Sequence, residues 1–218
     1  KMFTLIISCM FLFFNLFAYG NENIFNIGFI DYKNDKRYSD WGRHPVDIRS
    51  QYNKESRAVD GAKLGIIEAK KLQRITKTQF MLDHIRLIDE NSIYDLMISS
   101  EIKKYKAVLL DIPLDSFEKI KNLIIKNNNI IFFNTTDQSN FIRSDVCIKN
   151  LFHSFPSDMM KTDAIAQFLV NKKWNKTLML TGPLIQDINL ANSFRVSAKK
   201  FGIKILKEKF FVNSNDPR

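Results

Sequence analysis

The chain has 218 residues, 45% hydrophobic and 26% charged, with 33 Lys and Arg against 23 Asp and Glu. That composition excludes disordered, collagen-like and multi-span membrane classes, and the length suits one large domain or two small ones. Two cysteines exclude a disulfide scaffold, and the seven glycines form neither a G-x-G-x-x-G nor a Walker-type run.

Lys1 precedes an almost wholly apolar run, Met2 to Phe17, which is followed by Ala18-Tyr19-Gly20. Small residues at the −3 and −1 positions mark a signal-peptidase site after Gly20. The run is shorter than the ~20 apolar residues that span a bilayer. Residues 1–20 therefore read as an export signal. Ile6-Ile7-Ser8-Cys9 faintly resembles a lipoprotein box, but the apolar segment continues past Cys9. Lys1 standing before Met2 points to a chain not cut at a natural start codon. The mature chain holds one cysteine, Cys147, which can form no internal disulfide and reads as a small buried hydrophobe.

Residues 24–30 form a branched and aromatic run without helical period, a buried strand. A long polar stretch, 31–55, carries Trp41, Gly42 and Pro45; stretches of this length are often functional. Trp41 could lid a cleft or simply pack on the surface. Ser56 is placed to cap a helix reaching Leu72, with Ala58, Ala62, Gly65, Ile66 and Ala69 on one face. Gly61 and Gly65, one turn apart, suggest close approach of this helix to a sheet. A strand over 79–88, a helix over 91–104 and an apolar strand over 107–111 follow. Next come a helix over 115–126, with Phe117, Ile120, Leu123 and Ile124 inward, and an apolar strand over 130–134. Such strands separated by helices predict a parallel sheet covered on both faces.

The rhythm breaks at 135–149 and resumes at Asn150 with a short strand, a helix over 157–172, a strand over 177–181, a helix over 186–201 and a strand over 203–212. A domain boundary is expected near residue 148. The second unit, ~70 residues, is small for a core of its own, and it has no capping element after its last strand. The basic residues occur in pairs, Lys70-Lys71, Lys103-Lys104, Lys172-Lys173 and Lys199-Lys200, near predicted helix ends where cations complement the helix dipole. No basic stripe with interleaved aromatics appears, so no nucleic-acid partner is expected.

Ligands of open parallel sheets sit beyond the carboxyl ends of strands. That rule selects Asp111 after the third strand, Asn134, Thr135 and Thr136 after the fourth, His153 to Ser157, and Thr181 with Asp187 beyond it. Their hydroxyls and amides suit a small polar or carboxylated solute. Each also has a plainer reading: Asn134 to Asp137 as a polar turn, Asp111 as a strand end before proline, Ser157 as a helix cap, Gly182 as a backbone requirement. His44, His84 and His153 lack metal-site spacing, and no G-x-S-x-G occurs. Neither a metal, a cofactor nor an enzymatic activity is expected.

Leu151 to Asp158, Ala164 to Val170 and the helix end Ala198-Lys199-Lys200-Phe201-Gly202 resemble the start of the second lobe in type I periplasmic binding proteins, the solute receptors of ABC importers. Cys147, Asn150 to His153, Pro156-Ser157, Met160, Asp163-Ala164, Gln167 to Val170, Trp174 and Asp216-Pro217-Arg218 resemble one branch of that family, found with PQQ-dependent alcohol dehydrogenase systems. The match is specific over 141–218. Over 24–134 it rests on element order and on Asp60 to Gly65, with His153 where the family has arginine. The resemblance implies an α/β fold of two Rossmann-like lobes with parallel sheets, closing on a small solute by hinge motion, in the periplasm, with a membrane permease as partner. It assigns 21–148 to lobe one and 149–218 to an incomplete lobe two, one hinge crossing instead of three, and hence a fragment. The alternatives are a sensory or regulatory domain of the same fold, or an exported α/β hydrolase.

Overall fold

The structure, a computed structural model, describes residues 23–35, 38, 57–144 and 147–211. Residues 1–20, Trp41, His44, Ser56, Val212 and Asp216 to Arg218, all invoked above, lie outside the described residues. In chain order the elements are β1 (Asn23–Tyr32), α1 (Ala58–Lys70), α2 (Gln73–Thr76), β2 (Thr78–Leu87), α3 (Glu90–Ile98), a 3-10 turn (Glu101–Lys104), β3 (Ala107–Asp111) and α4 (Leu114–Lys126). They continue with β4 (Ile131–Asn134), α5 (Phe141–Ser144), β5 (Leu151–His153), α6 (Asp158–Asn171), β6 (Lys176–Thr181), α7 (Ile185–Lys200) and β7 (Lys204–Phe210). The strand–helix alternation is the one the apolar runs predict.

Two compact units divide the chain, one reaching to Leu109 and including Asn129–Ile131, the other comprising Leu110–Asn128 and everything from Phe132 onward. In the first, the strand order is β2-β1-β3. β1 pairs with β2 in parallel from Asn23↔Thr78 to Tyr32↔Leu87. Burial explains the composition: the carboxyl half of β1, Gly28 to Tyr32, is wholly buried, whereas β2, an edge strand, keeps Met81 and Arg86 exposed. Tyr105 is 1% exposed, packs its ring over Gly28 and donates its hydroxyl to Asp83 Oδ2 at 3.1 Å.

In the second unit, the end of β3, then β4 and β5, are neighbours in that order, and β6 with β7 forms a separate two-stranded parallel sheet. The stripe Phe117, Ile120, Leu123 and Ile124 of α4 is buried, as its spacing predicts. Asn150 clamps the far end of that helix by donating Nδ2 to the Ile124 and Asn127 carbonyls at 2.9 and 3.2 Å. Over β6 and β7, Ala166 of α6, Ala198 of α7 and Ile203 form a small core with Leu169, Phe194, Phe201 and Ile205. The two helices are clasped by Ser197, whose hydroxyl donates to Asp163 Oδ1 at 2.7 Å, while Lys200 reaches Asp163 Oδ2 at 2.7 Å. These partners hold the Asp163 carboxyl below its ordinary range. Gly202, at φ 72°, terminates α7 in the left-handed conformation, and Ile203 N closes on the Ala198 carbonyl at 2.8 Å.

Four details differ from the sequence reading. The helix expected over 91–104 breaks after Ile98, because Ser99 donates its hydroxyl to the Leu96 carbonyl and accepts from Glu101 N, turning the chain extended. The helix expected to reach Leu72 ends at Lys70 and is followed by the short α2. Gly61 and Gly65 make no close approach: both are exposed, and a Cβ at either would meet nothing within 4 Å. Cys147 is exposed rather than buried.

Candidate functional site

The loops at the carboxyl ends of β3, β4 and β5 meet in the second unit around Asn134, which is 0% exposed. Its Oδ1 accepts from Thr136 N at 3.2 Å and Asp137 N at 2.9 Å, an Asx turn that fixes which way the amide faces. Nδ2 must then point the other way, and it donates to the Asp137 carbonyl at 2.8 Å and lies 3.2 Å from His153 Nδ1. Because an amide nitrogen can only donate, His153 Nδ1 is the acceptor, and the ring is neutral with its proton on Nε2. Burial first, and the Arg143 charge second, hold His153 below its ordinary value. Asn134 thus selects a single tautomer of His153, leaving Nε2–H as the donor.

The threonines are less available than their sequence suggests. Thr135 donates its hydroxyl to the Leu110 carbonyl at 3.0 Å, and Thr136 donates to Asp111 Oδ1 at 2.7 Å. Both protons are committed inside the fold, so towards a ligand these hydroxyls act as acceptors. Asp111 is itself 0% exposed. Four of the expected residues, Asp111, Asn134, Thr136 and His153, therefore belong to one network, with Thr135 on its flank.

The remaining expected residues serve their own elements. Ser157, 3% exposed, accepts from Met160 N at 3.1 Å and is the N-cap of α6. The next donors of that helix are also taken, Met159 N by Asn140 Oδ1 at 2.9 Å and Asp158 N by the Gln138 carbonyl at 3.0 Å. The first amides of α6 are therefore engaged within the fold. Asp187 accepts from Leu184 N at 3.1 Å and occupies the space beside Gly182, where a Cβ would stand 2.3 Å from its Oδ2. Thr181 is 3% exposed at the end of β6, and its hydroxyl has no hydrogen-bond partner among the described residues.

Arg143 is the residue that sequence reasoning missed. Its guanidinium donates to the carbonyls of Ser139 at 2.6 Å, Asp137 at 3.0 Å and Phe155 at 2.7 Å, tying the loop after β4 to the loop after β5. Burial lowers the Arg143 pKa and raises that of neighbouring Asp158, the latter opposed by the charges of Lys161 and Arg143. The only available signal was an arginine one turn into a short helix after a polar loop, which carries no spacing rule. Among the described residues no group of three or more His, Cys, Asp or Glu is placed to hold a metal ion, and no helix is long and apolar enough to cross a membrane.

No family model matches the chain, and no curated protein matches it. Solved structures do resemble it. An ABC transporter substrate-binding protein from Desulfitobacterium hafniense, in complex with Leu, superposes with a TM-score of 0.60 at 14% identity, covering 88% of this chain and 52% of that one. A branched-chain amino acid ABC transporter periplasmic ligand-binding protein from Burkholderia xenovorans gives 0.60 at 12% identity over 88% and 48%. A solute-binding protein of an R. palustris ABC transporter, in complex with benzoate, gives 0.54 at 9% identity over 88% and 49%. The fold is therefore the α/β fold of type I periplasmic binding proteins, with parallel strands. The chain spans about half the length of the solved structures it matches.

Proposed function

We propose that this chain forms part of a solute-binding component of an ABC importer, exported to the periplasm after removal of residues 1–20 and acting by binding rather than chemistry. Residues 21–148 and 149–218 would supply its two lobes, which close on a small solute before delivery to a membrane permease. The observation that carries the reading is the buried polar network at the strand ends, Asp111–Thr136 and Asn134–His153. In this reading the His153 Nε2–H serves as donor and the hydroxyl oxygens of Thr135 and Thr136 serve as acceptors towards the solute. Such a set matches a small solute carrying both a hydrogen-bond acceptor and hydroxyl or amine donors. The relatives in fold were solved with Leu and with benzoate, small solutes with a carboxylate. The residue pattern over 141–218 further supports a place beside PQQ-dependent alcohol oxidation, with short alcohols and their acids as the first solutes to try.

A thermal-shift screen against leucine, benzoate, short alcohols and organic acids tests the reading, followed by calorimetric titration of any solute that raises the melting temperature. The expected result is saturable binding of one solute, weakened about tenfold by Thr136→Val or His153→Phe. A protein that bound none of these solutes, or that converted one to product, would overturn it.

A further inference from the structure

The first unit carries a separate charged cluster at the carboxyl end of β1 and β2. Asp31 is 0% exposed, and the parallel register sets it opposite Arg86. Its Oδ1 accepts from Arg86 Nε at 3.3 Å. Its Oδ2 accepts from Arg57 Nη1 at 3.3 Å and lies 3.1 Å from His84 Nε2. Arg57 Nη1 also donates to the Tyr32 carbonyl at 3.0 Å, and the guanidinium lies 4.6 Å from the centroid of the Tyr38 ring. His84 is steadied edge-on against Phe29, with centroids 5.6 Å apart.

One guanidinium neutralises one carboxylate, yet two are gathered here. Arg86 is engaged through Nε alone and its side chain is 46% exposed, so both of its Nη groups are without a partner among the described residues. Arg57 is held through Nη1, leaving Nε and Nη2 without a hydrogen-bond partner among the described residues. Neighbouring Asp60 does not cancel the surplus, being occupied by Arg57 N at 3.3 Å and Lys63 at 3.5 Å.

We propose that Arg57 and Arg86, held on the buried Asp31, form an oxyanion-binding site that takes the carboxylate or phosphate group of a small molecule. A guanidinium presents a planar fork of donors to such a group, and a fork already fixed on Asp31 loses little side-chain freedom on binding. The position also follows the rule that ligands of open parallel sheets lie at the carboxyl ends of strands. This inference stands on the first unit alone and does not rest on the solute reading of Asn134 and His153.

The test is titration of the full chain with benzoate and, separately, with inorganic phosphate. Binding is followed by calorimetry and by the NMR signals of the arginine Nε–H groups. The expected result is saturable binding of at least one anion, weakening as salt rises, with the Arg86 Nε–H signal moving. Benzoate alone assigns a carboxylate ligand, phosphate alone a phosphorylated one. Arg86→Gln should weaken binding about tenfold or more, and Arg86→Lys, which keeps the charge and loses the fork, should fall between Arg86→Gln and the parent. Arg195→Gln, which removes a surface partner of Glu208, should leave binding unchanged. Saturation by neither anion, or Arg86→Gln and Arg86→Lys both binding like the parent, would overturn the proposal.

Discussion

Replacing Asn134 by aspartate changes a single side-chain atom and reverses the polarity of a fully buried hydrogen-bond hub. The parent side chain accepts from Thr136 N and Asp137 N, donates to the Asp137 carbonyl at 2.8 Å and faces His153 Nδ1 at 3.2 Å. The N134D variant keeps both accepted bonds and loses both donated ones. It also sets a carboxylate oxygen against a carbonyl and against the lone pair of a neutral imidazole. Two lost bonds at about 1 kcal/mol each, with an unsatisfied buried acceptor added, give a destabilisation of about 3–4 kcal/mol at about pH 8. Protonating His153 turns Nδ1 into a charged donor aimed at that carboxylate, so the deficit should shrink by about 2 kcal/mol by about pH 5.5.

The parent behaves in the opposite sense. Burial and the Arg143 charge keep the folded His153 pKa below 6.5, so the unfolded chain takes the proton first. The stability that neutral His153 contributes is complete above its unfolded value and is lost as pH falls through the folded one. Urea denaturation across this pH range, with an NMR titration of the His153 ring, measures both effects. A variant deficit that stays flat with pH would refute the argument, as would a His153 midpoint in N134D no higher than in the parent.

Three further outcomes are expected. Arg143→Lys keeps the charge but cannot span three carbonyls, so denaturant unfolding should show a loss of about 2 kcal/mol, with His153 still titrating low. Ser157→Ala removes the α6 cap and should cost about 1 kcal/mol without altering the affinity for any solute the thermal-shift screen identifies. Gly182→Ala pushes Asp187 off Leu184 N and should cost about 1 kcal/mol; combined with Asp187→Ala, the total should fall short of the summed single effects, as a double-mutant cycle would show.

Much of the site was legible in part because strand ends can be located from composition. Asp111, Asn134 and His153 each follow a short apolar run, and the rule that ligands gather beyond such runs selected all three. The same rule, applied to the first strand, reaches Asp31, but its partners are invisible at that level. Arg57 and Arg86 lie 26 and 55 residues away along the chain. Ser157 and Asp187 were drawn into the candidate set by position, although their residue types also announce helix caps, and capping is what both do.

Apolar periodicity and turn chemistry alone determined the order of strands and helices, the buried stripe of α4, the α6 cap and the α/β class. These are local properties, set by which face of a segment is withdrawn from water. Tertiary structure decided which polar groups meet. The Asp31↔Arg86 register, the commitment of the Thr136 proton to Asp111 and the bridging of two loops by Arg143 each require backbones distant in sequence to lie within about 3 Å hydrogen-bond reach. Packing of the strands sets that proximity, because a hydrogen bond is directional and short-ranged while a hydrophobic pattern tolerates many pairings.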